Sequence, residues 1–261
     1  MSDSYRILFL GDVVGKPGRR AVQELLPSLQ EAYSPLFTIV NGENSAGGVG
    51  ITADIAEELF QAGADALTLG NHAFHKRDIA PYLDQGRPII RPGNMPPGTP
   101  GCGKTSLNRG GIQLDVFNFC GRVYMEPYDD PFRWIDEELA SSTTPHRFLD
   151  FHAEATSEKI AMGWYVAARV TALVGTHTHV TTADEQILPG GTAYITDVGM
   201  CGPQDSVLGM DKEIILQRFL TQMPQRFEVA NSIGSIRGVI IDVRKEDGRA
   251  WSIQRIAMEA S

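Results

Sequence analysis

The sequence predicts an α/β fold of four layers, αββα, in which two mixed sheets pack together and helices cover their outer faces. Three observations carry that prediction. The first third alternates short apolar runs with amphipathic stretches of helical spacing, the middle holds a Gly-Gly hairpin, and the last third adds long alternating strands. At 261 residues and 42% hydrophobic content the chain can bury a large core. No composition break, charge block or repeat divides it, so one domain spanning residues 1–261 is expected.

The elements are justified in order. Strand Tyr5 to Leu10 leads to a helix from about Pro17 to Ala32, with Pro17 suited to a first helical turn. Strand Leu36 to Val40, helix Thr52 to Ala62 and strand Ala66 to Leu69 complete βαβαβ, Thr52 serving as N-cap and Gly63 as stop. A short helix Ile79 to Gln85, strand Ile89-Ile90 and a loop from Pro92 to Gly103 follow. Thr105 to Arg109 and Ile112 to Phe119 then flank Gly110-Gly111 as a hairpin. After an irregular stretch come strand His146 to Phe151, helix Ser157 to Val170 and strand Ala172 to Val174. The last third holds strands Gln186 to Leu188 and Ala193 to Thr196, a helix near Lys212 to Leu220, and strands Ile236 to Val243 and Trp251 to Met258.

The charge excludes several functions. Lys and Arg number 23 against 32 Asp and Glu, a net charge of -9, and no basic stripe exists to hold long nucleic acid. A phosphate-bearing partner is therefore expected to be small. Cys102, Cys120 and Cys201 form no C-x-x-C pair and suit a reducing cytosol. No signal-peptide core opens the chain, and Ile160 to Gly175 is broken by Arg169, so a cytoplasmic protein without a membrane span is expected.

Candidate metal-binding side chains cluster just past five strand ends, in Gly11-Asp12, Asn41-Gly42-Glu43-Asn44, Gly70-Asn71-His72, Phe151-His152 and Gly175-Thr176-His177-Thr178-His179. In open α/β sheets ligands gather outside the carboxyl ends of strands, which puts all five on one edge. A lone histidine is usually a core or surface residue, but His177 and His179 in a strand would face one side, directly after an apolar run. Asp12 competes with a helix cap, and Asn44 and Asn71 with turn residues. Glu43 is harder to explain as a turn residue, and its two oxygens can bridge two cations. His152 gains its weight from this context. His72 points away from Asn71 and suits a proton donor, whereas His75 and His146 sit in no motif.

Two other readings compete. Residues 98–105, GTPGCGKT, match the P-loop pattern for a nucleotide hydrolase, but Pro92, Pro96 and Pro97 precede them and Gly110-Gly111 follows, where the pattern needs a strand and a helix. An amidohydrolase barrel also uses H-x-H, yet only 82 residues follow His179, too few for the remaining units.

The ordered set G-D, G-E-N, G-N-H, H and G-T-H-T-H resembles the calcineurin-like metallophosphoesterase pattern, which implies a fold of the metallo-dependent phosphatase type. Val14 stands where that pattern has a histidine, Glu43 where it has the bridging aspartate, and Ala73 where it has an acid. With GDVVGKPGR, NGEN and RPGN, these departures resemble the YmdB-like branch, which implies hydrolysis of small phosphodiesters, 2',3'-cyclic nucleotides first and monoesters as the alternative. A metal site that merely staples loops is a further alternative. The resemblance implies that Asp12, Glu43, Asn44 and His179 hold one metal and Glu43, Asn71, His152 and His177 the other, with His72 as general acid. Nitrogen and oxygen donors without thiolate suit iron, manganese or zinc better than magnesium and do not choose among the three; two ions are expected, iron or manganese first and zinc as the alternative. A homo-oligomer is compatible with the resemblance and with the acidic balance.

Overall fold

The computed structural model describes residues 3–260. The first sheet is built from β1 (Ser4–Leu10), β2 (Asp12–Val13), β3 (Phe37–Asn41), β4 (Ala66–Thr68), β5 (Ile89–Ile90), β12 (Met200–Pro203), β13 (Gly234–Arg244) and β14 (Ala250–Glu259). Its order is β2-β12-β13-β1-β3-β4-β5, with β14 on the other edge of β13. The second runs β10-β11-β9-β8-β7-β6, from β6 (Lys104–Arg109), β7 (Ile112–Cys120), β8 (Arg147–His152), β9 (Ala172–Thr176), β10 (Gln186–Leu188) and β11 (Thr192–Ile195). β1, β3, β4 and β5 run parallel in one sheet and β7, β8, β9 and β11 in the other.

Alternation along each strand fixes the layers. Ile7 and Phe9 of β1 join Val116, Phe148 and Val174 in a core between the sheets, and the Phe9 and Phe148 ring centroids are 5.3 Å apart. Leu8 and Leu10 turn outward onto Val22 and Leu26 of α1 (Gly15–Tyr33) and Leu59 of α2 (Ala53–Gln61). Phe117, Leu149 and Phe151 turn outward from the second sheet onto Ile135 and Leu139 of α4 (Pro131–Ser141) and Met162 of α5 (Thr156–Val166). The order helix, sheet, sheet, helix follows; α3 (Ile79–Leu83) and α6 (Lys212–Thr221) complete the helices of the described residues. No helix among them is long and apolar enough to cross a membrane.

Several expectations are corrected. The stretch expected to be irregular contains α4, capped by Asp130, whose carboxylate accepts from the Phe132 and Arg133 N–H groups. α5 ends at Val166 and not Val170, because Ala168 turns left-handed at φ 64°. His152 is the last residue of β8. β2 and β12 were not foreseen, since Met200↔Asp12 and Cys201↔Val13 pair residues remote in sequence. The Gly110-Gly111 hairpin is present, with φ 59° and 77°, both of which a type I′ turn requires.

At the end remote from the strands' carboxyl edge, the Tyr5 hydroxyl and His146 Nδ1 bond across the two sheets at 2.9 Å. Burial lowers the His146 pKa below its ordinary value, against smaller upward pulls from the Lys245 backbone and Asp247. The folded chain therefore binds fewer protons here than the unfolded chain. Its contribution to stability is present above the unfolded pKa of about 6.5 and is lost as pH falls through it. Urea denaturation from about pH 8 to about pH 5 should show a steeper loss of stability in the wild type than in His146→Gln; equal slopes would exclude His146 as the cause.

Candidate active site

The parallel strands deliver the candidate residues to one edge because each turns out of its sheet at the same end. Asp12 follows β1, Glu43 and Asn44 follow β3, Asn71 and His72 follow β4, His152 closes β8, and His177 and His179 follow β9. Asp12, Glu43, Asn44 and His152 are buried, whereas Asn71, His72, His177 and His179 keep partial exposure. The floor is closed and the mouth open.

His152 is the centre of the cluster. Its Nε2 lies 3.0 Å from Glu43 Oε1, 3.0 Å from His177 Nδ1 and 3.1 Å from Asn71 Oδ1. Its Nδ1 is 2.9 Å from the Thr176 hydroxyl, which in turn donates to Asp150 Oδ1 at 2.7 Å. That chain assigns the ring hydrogen to Nδ1, so the Nε2 lone pair joins three other lone-pair donors. His177 Nε2 pairs with Glu154 Oε2 at 3.1 Å, turning the Nδ1 lone pair inward. His179 Nδ1 donates to the Leu208 carbonyl at 3.1 Å, which leaves its Nε2 as lone pair. Asp12 Oδ2 accepts the His177 N–H at 3.1 Å, and Asp12 feels the charge of His179.

This donor set fits metal ions. Glu43, His152 and His177 offer ligand atoms that all lie within 4.8 Å of one another. Asp12 Oδ1 and Asn44 Oδ1 are buried without a hydrogen-bond partner, each a cost of about 1–3 kcal/mol that a cation removes. Gly70 is required beside them, since a Cβ there would stand 2.2 Å from Glu43 Oε2 and 2.4 Å from His152 Nε2.

The titration shifts describe the same crowding in the protein alone. Burial works against charge on both Glu43 and His152, yet their mutual attraction holds Glu43 down to about 2 and lifts His152 to about 9. Burial, then repulsion by His152, lowers His177 to about 3. Burial raises Asp12, with Asp197 and Glu43 adding to the rise. Burial likewise lowers His72, with Glu43 pulling the other way, so fewer protonated rings stand ready at neutral pH than an exposed histidine would supply. The His72 N–H donates to Glu43 Oε2 at 3.1 Å, while its ring turns aside to meet His75, Nδ1 to Nδ1, at 3.3 Å.

One expectation fails here. β9 stops at Thr176, so His177 and His179 share no strand face; they sit at φ 100° and 64°, left-handed values rare outside glycine. The P-loop alternative is not supported. Arg91 turns the carbonyls of Pro92, Gly93, Thr99, Pro100 and Gly101 toward its guanidinium at 2.7–3.3 Å, where a phosphate loop would present N–H groups. Lys104 and Thr105 begin β6, not a helix, and Lys104 pairs with Asp115 at 3.2 Å.

Sequence reasoning missed the groups that hold this edge in place. Lys159 is fully buried; its Nζ donates to the Thr176 carbonyl and to Asp197 Oδ2, both at 2.7 Å. The same Asp197 oxygen accepts from Thr178 N–H at 3.1 Å and Thr178 Oγ1 at 2.8 Å. Asp150, pushed up to about 6 by burial, accepts from Asn41 and Thr68 of the facing sheet. Asp197 carried a usable signal, an acid after the apolar run Ala193 to Ile195 and before Gly199, as in the Gly11-Asp12 motif. Lys159, inside a helix, carried none.

Two mixed sheets with helices outside and an edge cluster of carboxylates and imidazoles define the metallophosphoesterase class of fold. The chain belongs to the YmdB-like protein family, whose model matches residues 8–256. It is 53% identical over 253 residues to the 2',3'-cyclic-nucleotide 2'-phosphodiesterase of Bacillus subtilis, covering 96% of each chain. A crystal structure of a novel phosphatase from Mycoplasma pneumoniae superposes with TM-score 0.94 at 34% identity, over 99% of this chain and 95% of that one. A hypothetical protein from Thermus thermophilus gives 0.91 at 42% identity, over 98% of this chain and 100% of the other.

Lys159→Met should leave the Asp197 charge buried and unpaired, at a cost of about 3–5 kcal/mol in urea denaturation. Adding Asp197→Asn should recover part of that loss. A single-variant loss below about 1 kcal/mol would show that the pair holds nothing in place.

Proposed function

We propose that the chain is a metal-dependent phosphodiesterase acting on small phosphodiesters, 2',3'-cyclic nucleotides first. The observation that carries the reading is the convergence of Glu43, Asn71 and His177 on the His152 lone pair, in a chain of the YmdB-like family. Asp12, Glu43, Asn44 and His179 would hold one divalent cation and Glu43, Asn71, His152 and His177 the other, Glu43 being common to both sets. Oxygen and nitrogen donors without thiolate favour iron, manganese or zinc over magnesium. When bound, such ions supply a deprotonated water at neutral pH and positive charge for the phosphoryl oxygens.

The protein's own groups do the rest. Asp150 through Thr176, Glu154 and the Leu208 carbonyl fix the three imidazoles so that their lone pairs face the cluster. Water oxygen bonds to phosphorus as the bond to the ribose 2' oxygen breaks, leaving a 3' phosphate and a 2' oxygen that needs a proton. His72, half-open to solvent at the rim, donates that proton. Its contact with His75 gives the ring a nearby group through which to regain one. Two of the three cysteines are buried and all are free, which supports a reducing cytoplasm.

Elemental analysis of purified protein should find two divalent ions per chain, and Glu43→Gln should lose both metal and hydrolysis of 2',3'-cyclic AMP. His72→Asn should keep the metal yet slow turnover about 10²–10⁴-fold, most for poor leaving groups. Preference for monoesters would make the chain a phosphomonoesterase, and bound metal with no hydrolysis of any phosphoester would make the site structural.

A further inference from the structure

The loop between β7 and α4, residues 121–130, starts at the candidate site. Its Gly121 N–H donates to the carbonyl of His152 at 3.0 Å. Three residues on stands Tyr124, 89% exposed and left-handed at φ 61°. Among the described residues its ring has no stacking contact and its hydroxyl no hydrogen bond.

Neither packing nor turn chemistry accounts for that tyrosine. A side chain with a Cβ rarely takes this conformation, and turns that need it use glycine or asparagine. An exposed ring gains little from folding. Yet the loop is held in shape, because Glu158 accepts from the Arg122 N–H at 3.0 and 3.1 Å and from the Val123 N–H at 3.2 Å. Strain maintained by a buried carboxylate beside a reactive cluster points to use by a ligand.

We infer that Tyr124 is a stacking platform for the nucleobase of the substrate, a specificity that rests on the phosphodiesterase reading. Three residues of chain from Gly121 span at most about 11 Å, a gap that the sugar of a nucleotide and the tyrosine side chain close together. Every base offers a π-face, so the platform accepts all four bases while rejecting substrates that lack one.

The test is steady-state kinetics of metal-loaded full-length protein on 2',3'-cyclic AMP and on ribose 2',3'-cyclic phosphate, which has no base. Tyr124→Ala should raise KM for the nucleotide about 5- to 150-fold, with kcat within about twofold. KM for the baseless ester should stay unchanged, and Tyr124→Phe and Tyr124→Trp should restore the nucleotide value. An unchanged nucleotide KM in Tyr124→Ala, or an equal loss on both substrates, overturns the inference. Absence of turnover by the wild type on both esters overturns the phosphodiesterase reading as well, and so separates the two failures.

Discussion

At the carboxyl edge of the two sheets, acceptors outnumber protons. Glu43, Asn71 and His177 all face one ring nitrogen of His152, which can donate at most one hydrogen, and Asp12 and Asn44 add oxygens that nothing satisfies. A buried arrangement of that kind disfavours folding unless a positive charge joins it. The rest of the chain can be understood as the framework that keeps these groups from relaxing apart. Between the sheets the core is apolar from Ile7 to Val174, and toward the edge it becomes polar with Asp150, Asn41, Thr68 and Thr176. The polar layer grips both sheets, so the donors attached to one cannot slide against those attached to the other.

One turn of α5 organises both walls of the site. Glu158 and Lys159 are consecutive and buried; Glu158 takes the N–H groups of residues 122 and 123, and Lys159 takes the Thr176 carbonyl and Asp197. The carboxylate sits in the helix's first turn, where the dipole favours it. The ammonium is neutralised by an acid from beyond β11. Together they fix a left-handed tyrosine on one side and two left-handed histidines on the other. The strain at all three residues is thus held by charges that never reach the substrate.

The layers were legible in the sequence because they depend on period: Ile7 and Phe9 against Leu8 and Leu10 is a pattern of two that survives folding unchanged. α4 was missed although Asp130, Pro131, Ile135 and Leu139 carry a cap and helical spacing, because Pro127 and Pro131 make the stretch look like loop. β2 and β12 are too short to show a period, and exist through pairing with strands remote in sequence, β2 with β12 and β12 with β13. In the site, the strand-end motifs were legible and the structure brings them together, since strand ends of parallel sheets share an edge whatever the loops do. The reason given for the T-H-T-H pair was wrong, as their placement comes from Asp12, Asp197 and Lys159, whose roles need tertiary contacts. His75 was passed over for want of a motif, though it lies three residues from His72 and meets its ring.

The departures from the wider metallophosphoesterase pattern have a packing cause and an electrostatic consequence. Val14 is buried against Gly209, where a Cβ would come 2.6 Å from its Cγ1, and Ala73 is fully buried; neither place has room for a histidine or an acid. Among the seven candidate donors only Asp12 and Glu43 are then carboxylates. Two divalent cations in that setting would leave an excess of about two positive charges. At about 4 Å and an effective dielectric near 20, each of those charges would attract a phosphodiester anion by about 4 kcal/mol before desolvation. The chain's net charge of -9 acts from much farther away. At about 20 Å in water one unit charge contributes only about 0.2 kcal/mol, and screening over about 8 Å reduces that further. Attraction at the cluster therefore exceeds repulsion by the surface, and an acidic protein can hold an anionic ester without a basic groove.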